Sequence, residues 1–554
     1  MNEAWWKQAV VYQIYPKSFQ DTTGNGMGDL QGIIHKLDYL KELGVDVIWL
    51  TPVYQSPQKD NGYDISDYYA IDPMYGTMND FEELLAETHQ RNMKLIMDLV
   101  INHTSTEHAW FKEATKSQNN PYRNFYIWRD PVNGGPPNNW LSKFGGSAWE
   151  YHEETGQYYL HLFDKTQADL NWENPQVREE LYKMVQFWAN KGIDGFRLDV
   201  INLISKDQRF PNDEHGDGRR FYTDGPRIHE FLHELNKKVF QPNNMMTVGE
   251  MSSTSLEQCI LYTKREREEL DMTFQFHHLK VDYPNGEKWA VAPFDFIQLK
   301  EIINRWQVGM YDGGGWNALF WCNHDQPRIV SRFGNDETYH AESAKMLATT
   351  LHMMQGTPYI YQGEELGMKN AGFTSISQYR DVESLNAYNQ LKEAGKSETD
   401  IIEILQQKSR DNARTPMQWS PAKNAGFTSG TPWIPLAKNY KTINAEKMLT
   451  EPNSIFKHYQ SLISLRKKYD IITYGDFKII NMNHPSVFAY TRNWQNNRLI
   501  VVSNFYSEHT EISIDDLGHK ESTLLLSNYP DSPPTSETIP LRPYESIIYY
   551  VTTN

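Results

Sequence analysis

Over its first 365 residues the chain repeats one pattern eight times: a short run rich in β-branched and aromatic residues, then a longer amphipathic stretch. The short runs are VVYQIYP (10–16), VDVIWLTP (45–52), LIMDLVIN (95–102), GIDGFRLDV (192–200), MMTVGEM (245–251), DMTFQF (271–276), NALFWCNHD (317–325) and TPYIYQGEE (357–365). Between them, stretches such as DLQGIIHKLDYLKELG, MNDFEELLAETHQRN and VREELYKMVQFWANKG repeat apolar residues at three and four, the helical spacing. Parallel strands need crossover helices, and eight of them suffice to close a twisted sheet on itself and abolish its edges. The pattern therefore predicts an α/β chain built on a (β/α)₈ TIM barrel.

Polar residues are not scattered along these runs. Asp98, Asn102, Arg197, Asp199, Glu250, Asn323, His324 and Asp325 all fall at or just past C-terminal ends, the face on which barrels of this kind build their sites. Two connections are too long for simple loops, one after the third run and one, from 366 to about 440, after the eighth; both read as insertions on that face. Past residue 475 short alternating runs broken by polar turns replace the βα alternation, the mark of an antiparallel sandwich. The expected division is a barrel of residues 1–103 and 171–474, an inserted subdomain of 104–170 after strand three, and a C-terminal antiparallel β-sandwich domain of 475–554.

Composition narrows the partners. A formal net charge of −17 repels polyanions and argues against nucleic acid as a partner. No stretch approaches the ~20 apolar residues of a membrane helix, and the N-terminus has neither a basic start nor an apolar signal core, so a cytoplasmic protein is expected. Only Cys259 and Cys322 are available as thiols, which fits a reducing compartment and leaves no thiolate cluster for zinc.

Asp199 and Glu250 end successive strands, and neighbouring strands lie ~4.8 Å apart. Cleaving a glycosidic bond with retention needs one carboxylate to attack the anomeric carbon and one carboxylic acid to protonate the leaving oxygen, ~5 to 5.5 Å apart. Asp325 would stabilise the charge that develops on the sugar, and the crowding of acids should raise the pKa of Glu250 and keep it protonated. Arg197, two residues before Asp199, would keep that aspartate ionised.

DLVINH (98–103), GFRLDV (195–200), TVGEM (247–251) and NHDQPR (323–328) resemble, in order and spacing, the conserved regions of the α-amylase family. The resemblance covers nearly the whole chain and implies Asp199 as nucleophile, Glu250 as general acid/base and Asp325 as transition-state stabiliser. It also implies that Asp60 and Tyr63 (KDNGYD), His103, Arg197, His324 and Arg410 (KSRDNARTPMQW) enclose the non-reducing glucose, with no cofactor for the chemistry. NGYDISDY, QADLNWENP and RDNARTPMQW are similar to the oligo-1,6-glucosidase group of that family, whose substrates are small. After the acid/base, however, Met251-Ser252-Ser253-Thr254-Ser255 stands where that group usually has a Pro-Gly pair. TVGEMSSTSLEQC, FQFHHLKVDYPNGEKW and WNALFWCNHDQPRIVSRFG instead resemble members that act on a phosphorylated disaccharide, cutting the α,α-1,1 bond of phosphorylated trehalose through a glucosyl-Asp199 intermediate.

A phosphate dianion needs local cations and hydroxyl donors, and Ser252, His277, His278, Lys280 and Lys288 offer them; of these Ser252, Lys280 and Lys288 are the candidate ligands. The alternatives are a small-substrate α-glucosidase that uses no phosphate, and an inactive relative serving as a binding or chaperone subunit. A last motif concerns metal. In DTTGNGMGD, Asp21, Thr23, Asn25, Met27 and Asp29 place oxygen ligands at alternate positions with a glycine at the sixth, as in the first part of an EF-hand loop. A structural Ca²⁺ or Mg²⁺ is one reading of this loop, a Gly-rich turn the other.

Overall fold

The computed structural model describes residues 4–514, 522–534 and 536–552; residues 515–521, 535 and 553–554 of the expected C-terminal domain lie outside them. All eight runs are strands of one parallel sheet: β1 (Val11–Ile14), β2 (Val47–Leu50), β3 (Lys94–Leu99), β4 (Gly195–Leu198), β5 (Met246–Glu250), β6 (Met272–Phe274), β7 (Ala318–Leu319) and β8 (Thr357–Tyr361). Neighbours in the chain are neighbours in the sheet from β1 to β6, and β8 pairs with both β1 and β7. A parallel bridge between Thr273 and Asn317 joins β6 to β7 and closes the barrel.

Nearly every strand residue is buried, as a sheet covered by its own filling on one side and by helices on the other requires. Helix boundaries follow local chemistry. Thr77 and Asp80 form a reciprocal capping box that starts the helix Met78–Gln90. Asn174 and Pro175 start Pro175–Lys191, and Gly192, with φ of 97°, ends it in the left-handed conformation that favours glycine. The seventh run is strand only at Ala318–Leu319, because the Asn323 side chain accepts the Asp325 N–H at 2.8 Å and folds residues 323–325 into a turn above the barrel.

The long connection after β3 begins and ends as a two-stranded ladder, His103–Ser105 against Gln167–Asp169, and holds a three-stranded antiparallel sheet. Its core is shared: Ile127, Trp140, Trp149, Leu160 and Leu162 pack with Leu203, Phe210 and Tyr222 from the loop after β4. The insertion is thus clamped to the barrel mouth. The connection after β8 contributes the helices Val382–Glu393 and Glu398–Lys408 over a small apolar cluster of its own.

The C-terminal domain is a five-stranded antiparallel sheet of β9 (Lys478–Ile480), β10 (Val487–Trp494), β11 (Asn497–Asn504), β12 (Ser522–Ser527) and β13 (Ser546–Thr552), in the order β9-β10-β11-β13-β12. A second ladder, Thr510–Ser513 with Thr538–Leu541, covers one face, with Val487, Ile500, Val502, Ile512, Ile539 and Ile547 between the layers. Arg492, fully buried, donates to the carbonyls of Met353, Ile472 and Gly475 and so ties this sheet to the barrel's last helices. Among the described residues no helix is long and apolar enough to cross a membrane.

Candidate active site

The register of β4 and β5 sets Leu198 opposite Gly249, which brings Asp199 level with Glu250 at the top of the barrel. Between them stands Arg197, buried to 1% exposure. Its Nη1 donates to Asp98 Oδ1 at 2.7 Å and to Asp199 Oδ1 at 2.6 Å, and its Nη2 lies 2.6 Å from Glu250 Oε2. One guanidinium therefore binds three buried carboxyl groups. Glu250 Oε2 also accepts the Val200 N–H at 3.0 Å, so this oxygen is committed to two donors and Oε1 is left to carry a proton. To present that N–H, Val200 sits in the left-handed region at φ 37°, ψ 39°, a conformation that costs a β-branched residue about 1–2 kcal/mol.

Burial pushes the Glu250 carboxyl up to about 8, against the pull of Arg197 and with the push of Asp199 and Asp325. Burial raises Asp199 as well, to about 7, with the Arg197 guanidinium opposing the rise and the charge of Asp98 adding to it. Of the two, Glu250 is raised further and is the group poised to hold a proton. Asp325 behaves oppositely: burial would raise it, but the Arg410 and Arg414 guanidinium groups outweigh that and hold it well below the usual carboxylate range. Arg414 Nη2 approaches Asp325 Oδ1 at 2.7 Å and Arg410 Nη1 at 3.4 Å.

A cavity of about 410 Å³ opens over these groups and is lined by Asp60, Tyr63, His103, Asp199, Glu250, Asp325 and Arg410, together with Ser252, Lys280 and Lys288. Arg197 and His324 lie beneath its floor. Tyr63 stacks on His324 with ring centroids 5.0 Å apart and donates to Asp98 Oδ2 at 2.9 Å. His324 takes the Gln13 amide on Nδ1 at 2.8 Å, and burial lowers its pKa to about 3, so it is a neutral ring. His103 is neutral for the same reason, at about 4, with Nε2 on the Tyr63 carbonyl at 3.0 Å. Asp60 is fixed by Arg410 Nη2 at 3.0 Å and by Gln167 Nε2 at 3.0 Å.

The remaining candidate residues make specific contacts of their own. Lys288 reaches the cavity wall but is bound by both oxygens of Glu383, at 2.6 and 2.7 Å, which compensates its charge. His277 and His278 turn to the carbonyls of Thr254 and Phe320. In the loop of Asp21, Thr23, Asn25, Met27 and Asp29, Asp21 accepts the N–H groups of Thr23, Gly24 and Gly26. Asp29 accepts those of Thr22 and Gly32, and Asn25 Oδ1 accepts that of Met27. The loop docks on residues 428–431 so closely that a Cβ on Gly26 would fall 1.8 Å from the Thr431 carbonyl oxygen. These contacts draw the side-chain oxygens of the loop into one compact turn.

The sequence reading also missed residues. Asp381, fully buried, takes Arg410 Nη2 at 2.6 Å and Nε at 2.9 Å, and it caps the helix Val382–Glu393. Phe144, Phe163 and Lys143 reach the cavity from the insertion after β3, and Tyr283 and Trp289 from the segment after β6. A capping aspartate before a helical run is a signal that could have found Asp381; the others sit on aperiodic loops and carry no comparable signal.

Asp199 and Glu250 end neighbouring strands, which lie ~4.8 Å apart and so suit the ~5 to 5.5 Å of a nucleophile and its acid rather than the wider gap of an inverting pair, and a third, ionised carboxylate lines the same cavity. This is the arrangement of a glycoside hydrolase working with retention. Residues 13–475 match the model of the alpha amylase catalytic domain, and residues 487–548 that of the alpha-amylase SusG C-terminal domain. The chain belongs to the α-amylase family. It is 65% identical to the trehalose-6-phosphate hydrolase of Bacillus subtilis (strain 168), covering 99% of this chain and 98% of that one. It is 54% identical to the oligo-1,6-glucosidase of Parageobacillus thermoglucosidasius, covering 100% of both. The crystal structure of Bacillus licheniformis trehalose-6-phosphate hydrolase superposes over 100% of both chains with a TM-score of 0.96 at 64% identity.

Proposed function

We propose that the chain hydrolyses the α,α-1,1 bond of trehalose 6-phosphate to glucose and glucose 6-phosphate. The observation that carries this reading is the cavity itself, which the Asp199–Glu250 pair shares with Lys280 and with Ser252, two residues past Glu250. The unphosphorylated glucose binds among Asp60, Tyr63, His103 and Arg410, with His324 supporting Tyr63 from below. Glu250 gives its proton to the bridging oxygen while an Asp199 oxygen attacks the anomeric carbon, so that the C–O bond breaks and glucose 6-phosphate departs. Asp325, held ionised by Arg410 and Arg414, stabilises the positive charge on the ring as it flattens. Glu250, now a carboxylate, takes a proton from water, which attacks the glucosyl ester and frees Asp199 and glucose. The buried free thiols Cys259 and Cys322 and a phosphorylated substrate both suit the cytoplasm.

The oligo-1,6-glucosidases among the relatives give the rival substrate, isomaltose-like sugars. Glucose release from trehalose 6-phosphate, trehalose and isomaltose at equal concentration separates the two. A preference for trehalose 6-phosphate of at least about 100-fold over trehalose is expected, since two charge-assisted contacts at roughly 1.5–3 kcal/mol each give about 3 kcal/mol or more and 1.4 kcal/mol is tenfold. Faster turnover of isomaltose would move the chain to the rival group, and no turnover of any of the three would favour an inactive binding subunit.

A further inference from the structure

The cations around the cavity divide into two sets. Arg410 is bound by Asp60 and Asp381, Lys288 by Glu383 and Arg219 by Asp217. Lys143 and Lys280 have no carboxylate within ion-pair distance among the described residues, yet both line the same wall. Lys143 Nζ lies 3.1 Å from Ser252 Oγ, and Lys280 lies near enough for its charge to act on Lys143, so that a hydroxyl meets one ammonium with a second close by.

This arrangement is held rigidly. Lys143 is fixed in a tight turn in which its N–H donates to the Leu162 carbonyl at 2.8 Å and Ser142 Oγ donates to the Phe163 carbonyl at 2.6 Å. Ser252 is fixed from below, its N–H donating to Asn202 Oδ1 at 2.9 Å. Burial pushes the Lys143 ammonium down to about 7, and the like charges of Arg219 and Lys280 act in the same direction, while Asp217 and Glu250 oppose it. Lys280 is lowered by burial, Arg219 and Lys288. A cluster of like charges strained in this way is relieved by a dianion.

We infer that Lys143, carried by the insertion after β3, joins Lys280 and Ser252 in holding the phosphate of the substrate, and that it sets the preference for a phosphorylated leaving group. The inference deepens the reading of trehalose 6-phosphate as substrate and rests on it. Ammonium groups suit this task, because a phosphate presented from one side can be met by point charges with free rotation. The insertion thereby acquires a purpose beyond covering the barrel mouth: it brings a cation to the leaving-group side that no barrel strand supplies.

The test compares kcat/KM for trehalose 6-phosphate and for trehalose in the full-length wild type, Lys143→Met and Lys143→Arg. Lys143→Met is expected to lower the ratio of the two by about 10- to 100-fold, mainly through KM, with Lys143→Arg restoring part of it. Inhibition by glucose 6-phosphate should weaken by a similar factor in Lys143→Met while inhibition by glucose does not. A parallel fall on both substrates, or an unchanged ratio with unchanged inhibition by glucose 6-phosphate, overturns the role of Lys143 and leaves the substrate standing. A wild-type ratio near one overturns the substrate, and the role of Lys143 with it.

Discussion

Asp199→Asn is expected to lower kcat by at least about 10⁴-fold, the scale on which removal of a covalent nucleophile disables an enzyme. Glu250→Gln is expected to fail differently. It should lose most activity on disaccharides, whose leaving sugar needs a proton, but retain much of the first step on an aryl glucoside with an acidic phenol. The glucosyl ester on Asp199 would then accumulate, because no base remains to activate water. Added azide separates the two variants by stereochemistry: α-glucosyl azide from Glu250→Gln, where azide attacks the ester, and β-glucosyl azide from Asp199→Asn, where it attacks the substrate directly. The reverse assignment of products would exchange the two roles. The same pair governs pH. Since Glu250 titrates near 8 and must be protonated, kcat/KM should fall above that pH, and this alkaline limb should vanish in Glu250→Gln assayed on the aryl glucoside.

Arg197→Leu should be the most damaging change outside the three carboxylates. Its loss leaves Asp98, Asp199 and Glu250 as buried acids without their shared cation, and removing one partner of a buried pair costs about 3–5 kcal/mol. Much of that cost is avoided by proton uptake, which puts the nucleophile in its unreactive form; kcat/KM should fall by about 10³-fold or more at pH 7, with the acid limb of the profile displaced upward. The sign for stability follows. Carboxyl groups whose folded pKa is raised bind more protons folded than unfolded, so their stabilising contribution is full below the unfolded value and is lost as pH rises through the folded one. The deficit of Arg197→Leu in thermal unfolding should accordingly be larger at pH 8 than at pH 5. Arg197→Lys should recover little, because one ammonium cannot reproduce the separate contacts made by Nη1 and Nη2. A variant with normal turnover and an unmoved acid limb would remove Arg197 from the account.

What the sequence made legible follows from how a barrel is built. Strand runs and their helices are written in local periodicity, and the pleat then dictates that Asp98, Arg197, Asp199 and Glu250 emerge together on one face. Asp98, Asp199 and Glu250 could be picked out because their positions depend on β3, β4 and β5 alone. Asp381, Lys143 and Trp289 depend on how long loops pack over the mouth, information spread over contacts between distant segments such as the cluster of Trp140 with Phe210 and Tyr222. Lys288 shows the converse limit. Its presence in the segment was readable, but its neutralisation depends on Glu383, 95 positions away. The Asp21–Asp29 loop has a similar limit: its alternate oxygens were readable, but the Thr428 hydroxyl that Asp21 accepts from across the mouth was not.

The most direct test of the account is the configuration of the glucose first released. In the α,α-1,1 bond of trehalose 6-phosphate, the unphosphorylated ring is the one attacked at Asp199, so two displacements at its anomeric carbon must return it to the α form. Proton NMR of the reaction, read within the first minutes before mutarotation, should show the α-anomer of glucose growing in first and the β-anomer following only as mutarotation proceeds. Initial release of β-glucose would mean a single displacement by water, and Asp199 could not then be the nucleophile.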